Sequence, residues 1–473
     1  MIIYKIINIK NVNDYFQLKT CISGTHIDND VINELAYYIG LKCDKIAVES
    51  PYADKDYLST YYIHYAKKYK TIDKKCYRLH FYNKNNYYGY ITLRPTCRRK
   101  IGRSYLHPSL LLNQKAYLMT NSYKVNVVGS EVFIDAFPWM HQEPDVSSCA
   151  HVSIWAILRY FSNKQSNYPD ANMGNVVENV QLNYDRKIPS RGLRVDQISE
   201  LLIRYGFSTL IRTPTRISDE IYTYIESGLP LIGIVPTEKD DAHAICIIGH
   251  GKISDISLST NDLYEKITYG KEEIVTDIIL STKFINSIIV NDDNLLPYRT
   301  VYKKVSMLEN YTKYDPKYIV DSITTFIIPL YEKMQITYNE VYNVVMNLLN
   351  SDGLKDLPSP KVLRFFITSS NSFKRSLSSR NVCNNLKRIL LRLNMPKFIW
   401  CVEIFSIENY KNGLVDGCVV VDATDSSEEG YPFIFHHDKK TIKYFNGNRN
   451  LVEEFEITPY NLYINNLEEF NNG

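Results

Sequence analysis

Apolar positions along this chain fall in short runs whose period changes twice, and the changes divide it into three parts. Up to about residue 135, two stretches of helical spacing, 28–40 and 54–70, precede the segments YRLHFYN, YYGYITLRP, KAYLMT, YKVNVV and EVFIDAF, whose alternation predicts strands. In the middle part, Val152, Ile154, Trp155, Ile157 and Leu158 recur at helical spacing behind a polar turn, and a second helix is expected over 192–207. Apolar runs at 231–235 and 244–248 flank an acidic loop, and a third run, 288–290, closes in polar residues. These read as strands. Beyond residue 300 the stretches PKYIVDSITTFIIPLYEKM, TYNEVYNVVMNLLN and RNVCNNLKRILLRLN predict helices, and KFIWCVEIF, GCVVVDATD and YPFIFHH predict strands. The expectation is an α+β protein with an N-terminal α/β part (1–135), a middle part (136–300) and a C-terminal helical-then-strand part (301–473). A length of 473 residues fits about three domains.

The candidate chemistry lies in the middle part. Cys149 stands where the polar turn becomes the apolar helix. Backbone N–H groups of a first helical turn carry partial positive charge, so sulfur there is favoured as thiolate. His243 opens the run 244–248, and the run 288–290 ends in Asn291, Asp292 and Asp293, three side chains able to orient an imidazole. The order is nucleophile, base, orienter. Gln142, seven residues before Cys149, offers an amide N–H that, with the Cys149 backbone N–H, suits a tetrahedral oxyanion. Each residue also has an ordinary structural use, as a packed thiol, a core histidine, turn aspartates and a surface glutamine. The joint order is what favours catalysis.

The approach from Gln142 to Cys149, the helix AHVSIWAILRY, and the segments GLRVDQISELLIRYGF, ESGLPLIGIV, DAHAICIIGHG and IIVNDDNLLPY together resemble the papain-like cysteine peptidases. Within them the likeness is to the bacterial group that removes double-glycine leaders, and it covers residues 136–300. It implies a papain-like peptidase domain flanked by two accessory domains, with Cys149 as nucleophile, His243 as general base, Asp292 as orienter and Gln142 as oxyanion donor. It implies no cofactor.

Composition narrows the alternatives. Hydrophobic residues make up 45% of the chain, enough for folded cores, and no stretch approaches the roughly 20 apolar residues that span a bilayer. Lysines inside MIIYKIINIKNVND argue for a strand rather than a signal peptide, so a cytoplasmic location is expected and no membrane partner. Fifty-five basic against 52 acidic residues leave a net charge of +3, and the 39 tyrosines are spread evenly, so no nucleic-acid partner is expected. The nine cysteines form no CxxC pair, and the adjacent His436 and His437 point to opposite faces of a strand, so neither disulfides nor a metal site is expected. The basic cluster RPTCRRKIGR, with Arg98, Arg99, Lys100 and Arg103, reads as a solvated loop before an anion grip. Glu403 and Asp422 read as salt-bridged or strand-end carboxylates before a catalytic pair.

The function expected is cleavage of a peptide or isopeptide bond in a protein or peptide substrate through a Cys149 thioester, regulated by the flanking parts or by a protein partner. The alternatives are an amidase or acyltransferase with the same triad, and a binding scaffold without turnover. If the flanks gate the site, removing residues 1–135 or 301–473 should raise turnover.

Overall fold

The structure, a computed structural model, describes residues 3–471 apart from 97, 182–185, 189, 191, 214–216, 238–241, 254–262, 270–271, 304–311, 313, 351–353, 355, 426–432, 447–448 and 465. Cys97, the acidic loop before His243 and the SSEEG loop therefore lie outside the description. Helix accounts for 29% and strand for 35%, the α+β mixture expected. No helix among the described residues is long and apolar enough to cross a membrane.

Most strands form three sheets. An N-terminal antiparallel sheet runs in chain order from Ile3–Asn8 through Lys45–Tyr52, Cys76–Asn83 and Asn86–Leu93 to Tyr105–Leu106. Asp28 and Asp54 start its two helices, Asn29–Tyr38 and Lys55–Ile63, by accepting first-turn backbone N–H groups. The central sheet is ordered Arg299–Tyr302, Ser287–Asn291, Ala242–Gly251, Leu231–Pro236, Thr325–Tyr331 and Phe207–Arg212, antiparallel throughout. Ala116–Leu118 adds to the end of Ala242–Gly251, and Glu468–Phe470 adds to Ala116–Leu118. The third sheet carries Tyr264–Tyr269, Glu272–Leu280, Lys361–Ser369, Phe398–Ser406, Gly417–Asp422, Phe433–His437, Thr441–Asn446 and Arg449–Glu454.

This pairing crosses both boundaries drawn from the sequence. The central sheet takes one strand from before residue 135 and two from beyond 300, while Tyr264–Tyr269 and Glu272–Leu280 leave the middle part for the third sheet. The largest core cluster therefore spans all three parts, from Ile7 through Trp155 and Ile327 to Phe470, beside a separate one under the third sheet from Ile279 to Tyr463. The expected helix PKYIVDSITTFIIPLYEKM is instead the strand Thr325–Tyr331. Its apolar run is short enough to fit either period, but β-branched Thr325, Ile327 and Ile328 favour a pleat, and Pro329 would break a helix interior. Pairing with Leu231–Pro236 covers only Thr325 to Ile327, so Pro329 lies beyond that ladder.

The helix Cys149–Lys164 packs on the central sheet with Ala150 through Phe161 all buried. Ser148 precedes it in an extended conformation. His151 takes the third-position role usual for Glu in a capping box, its Nδ1 accepting the Ser148 backbone N–H at 3.2 Å and lying 2.8 Å from the Ser148 hydroxyl. Burial pushes the His151 imidazole down to about 4, which keeps Nδ1 an acceptor. Asp56, from the N-terminal part, accepts Trp155 Nε1–H at 2.9 Å, the Met173 backbone N–H at 3.1 Å and Arg159 Nη2–H at 3.3 Å, and so ties this helix to the flank.

Candidate active site

Three chain segments meet at the start of this helix. Cys149, partly exposed, occupies the first helical position, and its Sγ accepts the Ala244 backbone N–H at 3.4 Å. That N–H comes from a neighbouring strand, and the sulfur also stands at the N-terminus of a helix of 16 residues. His243 sits second in Ala242–Gly251, and the next strand, Ser287–Asn291, ends beside it. That register brings Asp292 to the imidazole, with Asp292 Oδ1 2.9 Å from His243 Nε2. The Cys149 thiol is also among the groups that raise the imidazole. With Nε2 turned to Asp292, Nδ1 is the nitrogen left for sulfur.

Asp292 is held from every side. Its Oδ1 also accepts the Asn294 backbone N–H at 2.9 Å, its Oδ2 accepts the Tyr318 hydroxyl at 2.8 Å, and its carbonyl accepts Trp139 Nε1–H at 3.1 Å. Burial opposes its ionisation, but the His243 imidazole, the Asn294 backbone N–H and the Tyr318 hydroxyl together hold its carboxyl below the usual carboxylate range. The imidazole responds in kind. Burial would depress His243, yet the Asp292 charge and hydrogen bond, with Cys149 and Asp293, raise it to about 11.

Of the three candidate orienters, geometry favours Asp292. Asn291 turns away, its Oδ1 accepting the Tyr298 backbone N–H at 2.9 Å. Asp293 Oδ1 lies 3.6 Å from His243 Nε2, and neither of its buried oxygens has a hydrogen-bond partner. Burial, with the Asp292 charge adding to it, pushes Asp293 up to about 7. Gln142 is half-buried, and its Nε2 lies 3.4 Å from Asn294 Oδ1. Asn294 Nδ2 in turn lies 3.2 Å from His243 Nε2. Gln142 thus joins the cluster through Asn294.

Asn294 and Tyr318 were missed in the sequence, Tyr318 because it comes from beyond residue 300 and only folding brings it here. Arg94 was missed too. Its Nη2 donates to the carbonyls of His141 at 3.2 Å and Gln142 at 3.3 Å, while Arg99 Nη1 donates to the Asn294 carbonyl at 3.0 Å. The cluster RPTCRRKIGR is therefore no solvated loop. Lys100 is buried and pairs with Asp28, Arg103 pairs with Asp54 and Asp56, and Arg98 alone of the four named residues is exposed. The buried Asp54 and Asp56 take up the charge of Arg103 and the exposed Asp28 that of Lys100, which composition alone does not reveal.

One ring nitrogen of His243 and one carboxylate oxygen each of Asp292 and Asp293 lie within 4.8 Å of one another, a spacing a cation fits. Nε2 is engaged by Asp292, and Asp292 by Tyr318 and Asn294, while the Asp293 oxygens have no hydrogen-bond partner. His436 and His437 lie on Phe433–His437, where His437 bonds the Tyr460 hydroxyl at 2.8 Å and burial pushes both rings down to about 4. Glu403 is paired with Arg364 and Arg380, and Asp422 accepts the Thr424 backbone N–H at 2.7 Å. All eight described cysteines are free.

No family model, curated protein or solved structure matches the chain.

Proposed function

We propose that this protein is a cysteine peptidase of papain-like chemistry that cleaves a peptide or isopeptide bond. The observation that carries the reading is the convergence of Cys149 at a helix N-terminus with His243, whose far nitrogen is bound to a fully hydrogen-bonded Asp292. Sulfur attacks the substrate carbonyl, forming a C–S bond, and the resulting oxyanion is stabilised by the Cys149 backbone N–H and a Gln142 amide turned toward it. His243 gives its proton to the leaving amine as the C–N bond breaks, which leaves a thioester. Water then loses a proton to His243 and attacks, the C–S bond breaks, and the thiolate returns.

Asp292 keeps the imidazole in the tautomer that faces sulfur and stabilises its charged form. The reading also favours a papain-like arrangement of helix and antiparallel sheet, although its sheet draws strands from all three parts of the chain. The test is the rate at which iodoacetamide alkylates Cys149 across pH 4–9, followed by peptide mass spectrometry in the wild type and in His243→Ala. Fast reaction below pH 7 that moves toward an unassisted thiol, about 8.5, in the variant supports the reading. A Cys149 that behaves like the buried cysteines in both proteins overturns it.

A further inference from the structure

The bend from Arg94 to Lys100 brings one cation to the place where the triad meets solvent. The Arg94 backbone N–H donates to the Lys100 carbonyl at 2.7 Å and Arg94 Nη2 donates to the Arg99 carbonyl at 2.6 Å, which closes the bend with Arg99 in the left-handed region at φ 51°. A residue with a side chain is held there only where the surrounding structure over-determines it. The same Nη2 holds the carbonyls of His141 and Gln142, so Arg99 is fixed relative to the segment that carries Gln142.

Partly open side chains form a row along the mouth of the site. Cys149, His243, Asn294, Gln142 and Arg99 are each half-exposed, and Asp292 and Asp293 lie buried behind them. Asn294 joins the row: its side chain touches His243 Nε2 and Gln142, and its carbonyl accepts Arg99 Nη1–H at 3.0 Å. These contacts put the guanidinium within about five residues of extended chain from the sulfur.

Arg99 differs from the other cations of the bend in how its charge is met. Arg94 pairs with Glu143, Lys100 with Asp28 and Arg103 with Asp54. Arg99 has no carboxylate oxygen within ion-pair reach among the described residues, and the buried Glu34 and Asp293 feel its charge only from farther off. Its Nη1 has the Asn294 carbonyl, while Nε and Nη2 have no protein partner and stand open to solvent. A guanidinium takes a carboxylate through parallel hydrogen bonds, and one already anchored at a single nitrogen loses less freedom in doing so.

We propose that Arg99 makes this protein selective for substrates that carry an Asp or Glu side chain within about five residues of the bond cut. The inference rests on the peptidase reading. Digestion of a mixed library of C-terminally amidated peptides by the full-length wild type and by Cys149→Ala, with both product ends sequenced by mass spectrometry, tests it; amidation leaves side chains as the source of carboxylates. Asp or Glu should be enriched at one fixed position relative to the cut, and kcat/KM for a peptide with Glu there should exceed that for its Gln twin by roughly ten- to a hundredfold. Arg99→Asn, a residue that tolerates the left-handed backbone, should bring this ratio near one, and Arg99→Lys, which keeps the charge without the planar fork, should retain a smaller preference. Cleavage that depends on Cys149 but shows no acidic preference, or a preference that Arg99→Asn leaves intact, overturns this inference and leaves the peptidase reading standing. Cleavage that persists in Cys149→Ala, or no cleavage at all, overturns both.

Discussion

His243 Nε2 and Asp292 Oδ1 stand 2.9 Å apart in a site where the carboxylate's second oxygen is occupied by Tyr318. This contact fixes the ring's orientation and its charge together, so one substitution should disturb both. Asp292→Asn keeps the size and removes the charge that helps hold His243 near 11. Turnover of a peptide substrate should fall roughly 10²–10⁴-fold, with the acid limb of the Cys149 alkylation profile shifted upward. Unchanged rates in this variant would assign the orienting role elsewhere.

The same ion pair sets a stability profile. A histidine raised from about 6.5 to about 11 contributes stability that is fully present below the lower value and is lost as pH rises through the upper one. His243→Gln should therefore lose most stability relative to wild type below pH 6, and the two unfolding curves should converge toward pH 11. Chemical denaturation at several pH values measures this.

Asp293 gives a pH slope of the same sign for a different reason, burial of the charged form rather than an ion pair. Its carboxyl is raised to about 7 by burial, so the folded state holds a proton that the unfolded chain releases near 3.9, and stability falls as pH climbs between these values. Asp293→Asn removes that titration and should stabilise the protein above pH 7 by about 2–4 kcal/mol relative to its effect at pH 4. A pH-independent difference between variant and wild type would show that Asp293 titrates normally.

Tyr318 acts through Asp292. Tyr318→Phe deletes one hydroxyl bonded to a carboxylate, a contact of about 1.5–3 kcal/mol, so kcat/KM should drop roughly 10- to 100-fold. KM should change little, and the pH profile should shift as in Asp292→Asn but less far. A loss confined to KM would make Tyr318 a substrate contact instead.

Sheet pairing changes the expectation for truncation. Removing 301–473 takes Thr325–Tyr331 from between Leu231–Pro236 and Phe207–Arg212, and removing 1–135 takes Ala116–Leu118 and the Asp56 anchor of the Cys149 helix. Both truncated proteins should be insoluble or lack a cooperative unfolding transition. Activation with retained cooperative unfolding would instead restore the flanks to the role of removable gates.

Within the site, the sequence by itself determined what local chemistry can write. Ser148 followed by Cys149 and an apolar 3.6-residue pattern specifies a helix start with a thiol on it, and the runs 231–235, 244–248 and 288–290 specify strands whose ends carry His243 and Asp292. Ordering and spacing of those elements were legible because each is encoded within a few residues.

Tertiary structure decided the choices that depend on register and on distant partners. Among Asn291, Asp292 and Asp293, the pairing of Cys246 with Asn291 and the Tyr318 hydroxyl selected Asp292 to face the imidazole. No local signal distinguishes three adjacent polar residues at a strand end. The charges of Arg94, Arg99 and Arg103 were likewise settled by carbonyls and carboxylates far away in sequence. Thr325–Tyr331 became a central strand because two apolar neighbours flanked an open place in the sheet, and a seven-residue apolar run has no period of its own strong enough to refuse it.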